Sequence, residues 1–202
     1  MLTTAEIRWF YPGKLPEVVL QWFEQDQLGL ASAEEREDIY LYVPDSDFVG
    51  IKLRQGRLEI KWRKAELGDL QFGKATGKAE TWTKWLCEDL SNECFQPNEV
   101  TGKFWVSVKK KRTQRTYKSL AEQLISVKAG DENEEGCNVE LTELEVNGNV
   151  WWSLAFEAYS KSDRTLENLK EPASRILQSN LYQKLEVKDS YAYPHWLSLV
   201  IK

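Results

Sequence analysis

Charged and apolar residues alternate through the stretch GIKLRQGRLEIKWRK, residues 50–64. Side chains of a β-strand point alternately to opposite faces, so this pattern predicts two strands with one apolar face and one basic face. Gln55 and Gly56 provide a two-residue hairpin turn, which would place Arg54 directly opposite Arg57. Lysine and arginine side chains gathered on one face can supply charge-assisted hydrogen bonds to phosphate oxygens. The charged face carries six residues: Lys52, Arg54, Arg57, Glu59, Lys61 and Arg63.

A second basic run, KFWVSVKKKR at residues 103–112, also alternates and predicts a strand. Lys109 and Lys111 share one face with Trp105 and Ser107, and we expect these two lysines to face the same anion as the first basic stretch. Carboxylates also recur at alternating positions of other predicted strands, and carboxylate oxygens are the ligands that Mg²⁺ and Mn²⁺ prefer. The acidic residues in such positions are Glu6, Glu59, Glu140 and Glu157.

The chain has 202 residues and a net charge of -5, which argues against a general nucleic-acid binder. The basic residues concentrate in 52–64 and 109–118, whereas an acidic run occupies 131–135. This distribution favours a local anion-binding site over a positive electrostatic potential across the whole protein surface. Three cysteines without a Cys-x-x-Cys pair and a single histidine argue against a disulfide framework or a zinc site.

The sequence also predicts the cellular compartment of the protein. No apolar run is long enough to span a membrane, and the N-terminus lacks the basic-then-apolar pattern of a signal peptide. We therefore expect a cytoplasmic protein with reduced thiols. Neither the cysteines nor the histidine point to catalysis, and the sequence leaves the oligomeric state open.

The periodicity of apolar residues predicts about eight antiparallel strands and three or four helices in a single domain, residues 1–202. Predicted strands include 3–11, 36–43, 69–76 and 103–112, and a hairpin around Asn147-Gly148-Asn149. Predicted helices cover 15–23, 82–90, 117–125 and 162–178, the last capped near Ser162 or Asp163 and interrupted at Pro172.

Two interpretations of the basic face are possible. An antiparallel sheet commonly has one solvated face, in which case the charges simply meet water. Alternatively, helices pack on the outside of a closed barrel, bury the apolar side of each strand and leave the polar side to line a lumen. In the second case, Leu166, Leu169, Ile176 and Leu177 form the face by which a late helix packs on the barrel.

The order of elements over residues 4–160 resembles the CYTH domain family, also called triphosphate tunnel metalloenzymes. The resemblance is carried by an acidic/basic first strand, REDIYL at 36–41, the basic hairpin at 50–64, VSVKKKR at 106–112 and SLAFEA at 153–158, together with the tail from Ser190 to Leu197. It implies an α+β fold: a closed, eight-stranded antiparallel barrel with helices packed outside, whose lumen holds a triphosphate and a divalent metal.

The family motif ExExK is degenerate in this chain. One register places Thr4, Glu6 and Arg8 on its three positions; the other places Glu6, Arg8 and Phe10 there. Either way one acid is lost, and the resemblance leaves Glu6, Glu140 and Glu157 as metal ligands for Mg²⁺ or Mn²⁺, or no cofactor at all. The phosphate-binding residues that it implies are Arg8, Lys52, Arg54, Lys61, Arg63, Lys109 and Lys111.

Three functions follow from these residues. The barrel binds a triphosphate or another small phosphorylated polyanion with weak or no catalysis, which the lost acid favours. Alternatively, it is a metal-dependent phosphohydrolase acting on inorganic triphosphate or on nucleoside or thiamine triphosphate. The third alternative is a non-catalytic partner-binding barrel, which nine tryptophans and an aromatic strand face at Tyr40 and Tyr42 would allow.

Overall fold

A computed structural model describes residues 2–25, 29, 31–87, 104–120, 123–128, 135–178, 181 and 183–201. This part of the chain contains nine strands, three α-helices and one short 3₁₀ turn, Val187–Asp189. The strands are β1 Leu2–Pro12, β2 Ser32–Leu41, β3 Val49–Arg54, β4 Arg57–Phe72, β5 Ala75–Cys87, β6 Trp105–Leu120, β7 Gln123–Val127, β8 Glu135–Val146 and β9 Asn149–Ser160. The helices are α1 Glu17–Phe23, α2 Thr165–Ile176 and α3 Tyr193–Val200.

Eight of the strands close into an antiparallel barrel in the order β2-β3-β4-β5-β1-β9-β8-β6, and β6 pairs again with β2. β7 pairs only with the second half of β6, so it lies outside this ring. The predicted fold class, a closed antiparallel barrel with helices, is confirmed. The predicted register of the basic hairpin is also confirmed, because Arg54 pairs with Arg57 and Lys52 with Glu59.

A hydrophobic layer covers the outside of β1, β8 and β9. The odd-numbered residues of β1, including the fully buried Trp9, pack there with Leu154 and Phe156 of β9. Helices α1 and α2 lie over this layer. Leu169, Ile176 and Leu177 of the α2 segment are buried in it and Leu166 packs against it, so the predicted packing face of the late helix is confirmed.

The C-terminal segment enters the barrel between β1 and β5. These strands pair only as far as Ile7 and Ala79. Beyond that point Ser190 forms a bridge to Trp9, and its hydroxyl accepts a hydrogen bond from the Lys78 backbone N–H at 2.9 Å. The next residue, Tyr191, donates its backbone N–H to the Arg8 carbonyl at 3.1 Å.

Aromatic side chains then fill one end of the barrel interior. Phe10 stacks between Tyr191 and Trp196, with ring centroids 5.4 and 5.3 Å away. Tyr193 stacks on Tyr40 at 5.4 Å, so Tyr40 of the predicted aromatic strand face is covered by the chain's own tail. We call these five residues, Phe10, Tyr40, Tyr191, Tyr193 and Trp196, the aromatic plug. The plug gives the barrel interior an apolar end, which alternation alone did not predict.

The predicted helices at 82–90 and 117–125 are wrong. Residues 82–87 belong to β5, while 117–120 and 123–125 belong to β6 and β7; residues 88–90 and 121–122 lie outside the described part. Apolar side chains occupy both faces of these strands, and Trp85, Leu86, Leu120 and Ile125 are exposed, so the spacing imitates a helical period. The predicted strand at 69–76 instead spans the turn between β4 and β5.

The predicted interruption of the late helix at Pro172 is also wrong, because α2 runs continuously from Thr165 to Ile176. Proline inside a helix removes a backbone hydrogen bond, but here Pro172 is buried and the following turn packs Ile176 against the barrel. The helix begins after Arg164, not after Ser162 or Asp163, and the described N-cap has no side-chain hydrogen bond.

None of the described helices has the length and apolarity needed to cross a membrane.

Candidate functional site

The inward faces of the strands enclose a cavity of about 330 Å³ next to the aromatic plug. This volume lies at the lower end of the range of roughly 300–1,000 Å³ that is typical of small-molecule sites. Among the described residues, nine lysines and arginines line the cavity against five glutamates: Arg8, Arg36, Lys52, Arg54, Lys61, Lys78, Lys84, Lys110 and Arg112 against Glu6, Glu59, Glu80, Glu140 and Glu157. Asp38 is buried beside this wall, and Glu34 pairs with Arg36 and Arg112, so nine cations stand against seven carboxylates.

Asp38 anchors the largest group of cations. Its side chain is fully buried, and Arg54 donates to both of its oxygens at 2.9 and 3.0 Å. The ammonium of Lys110 lies 3.1 Å away, that of Lys52 at 3.9 Å and the Arg36 Nε at 3.4 Å. Burial alone would raise the pKa of Asp38, but Lys110, Arg54 and Lys52 hold it well below its usual range. Asp38 is therefore an anion that gathers cations toward the cavity.

Two of these lysines have pKa values near neutrality. Burial, with repulsion from Arg54, lowers the pKa of Lys52 to about 7 although Asp38 and Glu59 oppose the shift. Burial also lowers the pKa of Lys110 to about 7; Asp38 opposes this change and Arg54 adds to it. An anion entering the cavity would favour the charged form of both side chains.

Glu140 organises a second group at the border of the plug. Arg8 Nη2 lies 2.7 Å from Glu140 Oε2, and Arg112 Nη1 lies 2.5 Å from Oε1. Burial would raise the pKa of Glu140, but the two guanidinium groups hold it well below its usual range. Arg8 also donates to the Ser153 hydroxyl at 3.1 Å and lies 5.0 Å from the centre of the Tyr193 ring. These contacts fix Arg8 at the floor of the cavity.

Glu6 and Glu157 form a third group around Lys61. The two glutamates are direct cross-strand neighbours on β1 and β9, and the Lys61 ammonium is ion-paired with Glu6 and lies 3.5 Å from Glu157. Burial raises the pKa of Glu6, and Lys61 offsets only part of that rise. For Glu157, the effect of burial is outweighed by Lys61 and the pKa is lowered.

One buried N–H donor of the cavity wall has no partner within the described chain. The Nε of Arg112 is inaccessible and makes no hydrogen bond there, whereas the Nε of Arg36 is ion-paired with Asp38 at 3.4 Å. No carboxylate of the described chain lies within ion-pair distance of Lys84, which is half-buried in the cavity wall. Buried donors without acceptors are costly, and a ligand rich in acceptor oxygens would satisfy such groups.

The structure brings together four of the seven predicted phosphate-binding residues, because Arg8, Lys52, Arg54 and Lys61 all line the cavity. Arg63 does not line it. The Arg63 guanidinium lies beyond the cavity edge and pairs with Glu80 at 2.8 Å, Asp47 at 3.0 Å and Glu66 at 3.2 Å. Three carboxylates therefore already compensate this residue.

Lys109 and Lys111 lie on the outer surface, where their side chains are 66% and 62% exposed and pair with Glu145 and Glu143. The face of β6 that turns inward carries Lys110 and Arg112 instead, which corrects the predicted positions by one residue. The reason is the aromatic plug: Val106 and Val108 pack against it inside the barrel, so the apolar face of β6 at this end is the inner one.

Five further cations line the cavity that the sequence did not predict there: Arg36, Lys78, Lys84, Lys110 and Arg112. For Lys110 and Arg112, a usable signal was the run of four consecutive cations, which places basic side chains on both faces.

The structure also explains how Arg54 tolerates its neighbour Arg57. Arg54 is compensated by Asp38 and by Glu59 at 3.5 Å, and Arg57 is exposed, so the two like charges can lie opposite each other.

The predicted metal ligands Glu6, Glu140 and Glu157 line the same cavity, but they do not form a metal-binding arrangement. Among the described residues, no three carboxylate, histidine or cysteine side chains are grouped closely enough to hold a metal ion. Lys61 is ion-paired with Glu6 and Glu157. Arg8 and Arg112 are ion-paired with Glu140. The residues present therefore do not fit a bound Mg²⁺ or Mn²⁺ of the kind that the resemblance implies.

The sequence matches no protein-family profile and no curated protein. Among solved structures, the RNA triphosphatase Pct1 of S. pombe aligns with 88% of this chain and 80% of its own, at a TM-score of 0.42 and 11% identity. That similarity is too low to transfer a function. The function of this chain has to be argued from its own residues.

Proposed function

We propose that the barrel binds a small polyanion carrying several phosphoryl groups, such as a triphosphate, in its basic cavity without efficient turnover. The observation that carries the proposal is the charge around one cavity: nine lysines and arginines line it against five glutamates, with Asp38 and Glu34 beside them, in a chain whose net charge is -5. Such an excess inside a cavity focuses positive potential where an anion can sit.

The chemistry of the wall favours phosphate oxygens. Guanidinium groups present N–H donors in a fixed geometry that suits phosphate, and Arg8, Arg54 and Arg112 supply them from three different strands. The Nε of Arg112 has no acceptor among the described residues, and a phosphorylated ligand consists largely of acceptor oxygens. A neutral ligand would leave the excess of positive charge uncompensated.

The proposal excludes efficient turnover because the carboxylates are already engaged. Each glutamate of the predicted metal set contacts a lysine or arginine. Phosphoryl transfer relies on positioning and on neutralising charge at the transferred group, and metal-dependent enzymes use carboxylates to hold the ion that does this.

The test is calorimetric titration of the protein with tripolyphosphate, with assay of released phosphate in the same samples. We expect binding without release. Lys84→Gln removes a cavity charge that forms no direct ion pair among the described residues, and it should weaken binding about tenfold, or about 1.4 kcal/mol. Lys111→Gln, on the outer surface, is the matched control and should bind like the wild type.

The other outcomes decide against the proposal in different ways. Phosphate release that keeps pace with binding would identify a triphosphatase. No heat with tripolyphosphate, at any ligand concentration that leaves the protein soluble, would show that the cavity charges serve only to hold the barrel together. Equal loss of affinity in Lys84→Gln and Lys111→Gln would show that the anion binds outside the cavity.

A further inference from the structure

The Glu6–Glu157 pair needs a cation to be stable. The two residues are directly opposite each other on neighbouring strands and both line the cavity. Cross-strand residues have Cβ atoms only about 5 Å apart, and two like charges at that distance are destabilising. In a partly desolvated cavity the repulsion is stronger than it would be in water.

The ammonium group of Lys61, on another strand of the barrel, is that cation. Lys61 lies on β4, and the sheet order is β4-β5-β1-β9, so the long lysine side chain crosses β5 to reach Glu6 on β1 and extends toward Glu157 on β9. Its ammonium is ion-paired with Glu6 and lies 3.5 Å from Glu157. Burial acts to lower the pKa of Lys61, but Glu157 and Glu6 outweigh it and the pKa is raised. The side chain is therefore a permanent positive charge between two carboxylates.

The other carboxylates of the cavity leave no alternative place for a divalent ion. Glu140 is held by two guanidinium groups, Glu59 lies 2.9 Å from Lys52, and Glu80 lies 2.8 Å from Arg63. A hard divalent cation needs several oxygen ligands at about 2.0–2.6 Å, and the nearby ammonium and guanidinium groups would repel it.

We propose that the Lys61 ammonium is the resident cation of the Glu6–Glu157 pair, so that the cavity binds a metal-free polyphosphate and excludes its Mg²⁺ complex. This inference rests on the proposed function, since it specifies the form of the ligand. The metal-free form carries more negative charge than the Mg²⁺ complex, and it is therefore the form that matches the excess of cations in the wall.

The first experiment compares tripolyphosphate binding to the wild-type protein in EDTA and in excess Mg²⁺. We expect the apparent affinity to fall about tenfold in Mg²⁺, because Mg²⁺ withdraws the metal-free ligand. An affinity that rises in Mg²⁺, or that is unchanged when nearly all the ligand is complexed, would overturn the inference while leaving the proposed function intact. Absence of binding in both conditions would overturn the proposed function, and the inference with it.

The second experiment needs no phosphorylated ligand. Mn²⁺ alone is titrated into the wild type and into Lys61→Met, and bound Mn²⁺ is followed by electron paramagnetic resonance. We expect the variant to bind Mn²⁺ about tenfold more tightly, because removing the ammonium exposes the carboxylate pair to another cation. Lys111→Met removes a lysine of the outer surface that pairs with Glu143, and it should behave like the wild type.

Two results would contradict this second prediction. Equal Mn²⁺ affinity in Lys61→Met and the wild type would show that the ammonium does not occupy the cation position. Stoichiometric Mn²⁺ binding by the wild type at micromolar concentrations would show the same without any variant. The wild-type titration therefore decides the matter even if Lys61→Met does not fold.

Discussion

The Asp38 carboxylate and the Arg54 guanidinium form a two-point ion pair inside the barrel, with Nε to Oδ1 at 2.9 Å and Nη2 to Oδ2 at 3.0 Å. Asp38 is fully buried, and Lys110 and Lys52 approach the same carboxylate. One buried acid thus compensates several cations that line the cavity, and it links the stability of the barrel to the charge of the candidate site.

Asp38→Asn should destabilise the protein strongly. The substitution keeps the size of the side chain but removes the one carboxylate of the described residues that is ion-paired with both Arg54 and Lys110. Breaking a buried ion pair by removing one partner costs about 3–5 kcal/mol. The measurement is the free energy of unfolding in urea, followed by tryptophan fluorescence.

The matched control for Asp38→Asn is Glu145→Gln on the outer surface. Glu145 pairs with Lys109, but both side chains are more than half exposed, so the loss should be less than about 1 kcal/mol. Similar free energies of unfolding for the two variants would contradict the role assigned to Asp38.

Binding of a polyanion should weaken as the pH rises from 7 to 9. The pKa values of Lys52 and Lys110 are both about 7 in the free protein, so both side chains lose their protons over this range. A bound anion raises both pKa values, and binding above pH 7 therefore takes up protons and becomes less favourable with each pH step. Well below pH 7 both lysines are already charged and this dependence should disappear.

Trimetaphosphate is a suitable probe for this measurement, because its own charge does not change between pH 6 and 9. Calorimetry in two buffers with different ionisation enthalpies counts the protons taken up. Lys110→Met should reduce that number and flatten the dependence on pH. An affinity that is constant from pH 6 to 9 would show that these lysines do not contact the anion.

Gly77→Ala should destabilise the barrel by about 1–3 kcal/mol, because an added Cβ would overpack the layer beneath the helices. That Cβ would lie 2.6 Å from Trp9 Cζ2 and 2.8 Å from Ile7 Cδ1, and Trp9 is fully buried. Gly50→Ala is the control, since its nearest neighbour would be Pro194 Cγ at 3.6 Å. Equal thermal unfolding temperatures for the two variants would contradict the close packing of Trp9 on Gly77.

Trp196→Ala should cost about 3–5 kcal/mol, the usual range for truncating a buried tryptophan. Trp196 is fully buried and stacks on Phe10, so the substitution leaves a hole in the aromatic plug. Leu199→Ala on the same helix is the control, because Leu199 is 39% exposed. A Trp196→Ala variant as stable as Leu199→Ala would show that the plug does not support the barrel.

Local patterns were sufficient for much of the fold. Alternation and the Gln55-Gly56 turn predicted the hairpin of β3 and β4 with its register, and Asn147-Gly148-Asn149 predicted that of β8 and β9. The reason is that strand periodicity and turn chemistry act between residues close in the chain. The same patterns failed at 82–90 and 117–125, where strands are apolar on both faces.

The sequence by itself determined that basic and acidic side chains alternate on antiparallel strands, and it identified Arg8, Lys52, Arg54 and Lys61, which line the cavity. Only the tertiary structure decided which carboxylate each cation meets and which face of β6 turns inward. The C-terminal tail fills one end of the barrel and packs against the apolar inner face of β6 there. Barrel closure brings Lys61 to Glu6 and Glu157. These contacts join residues far apart in the chain, and periodicity along a single strand carries no information about them.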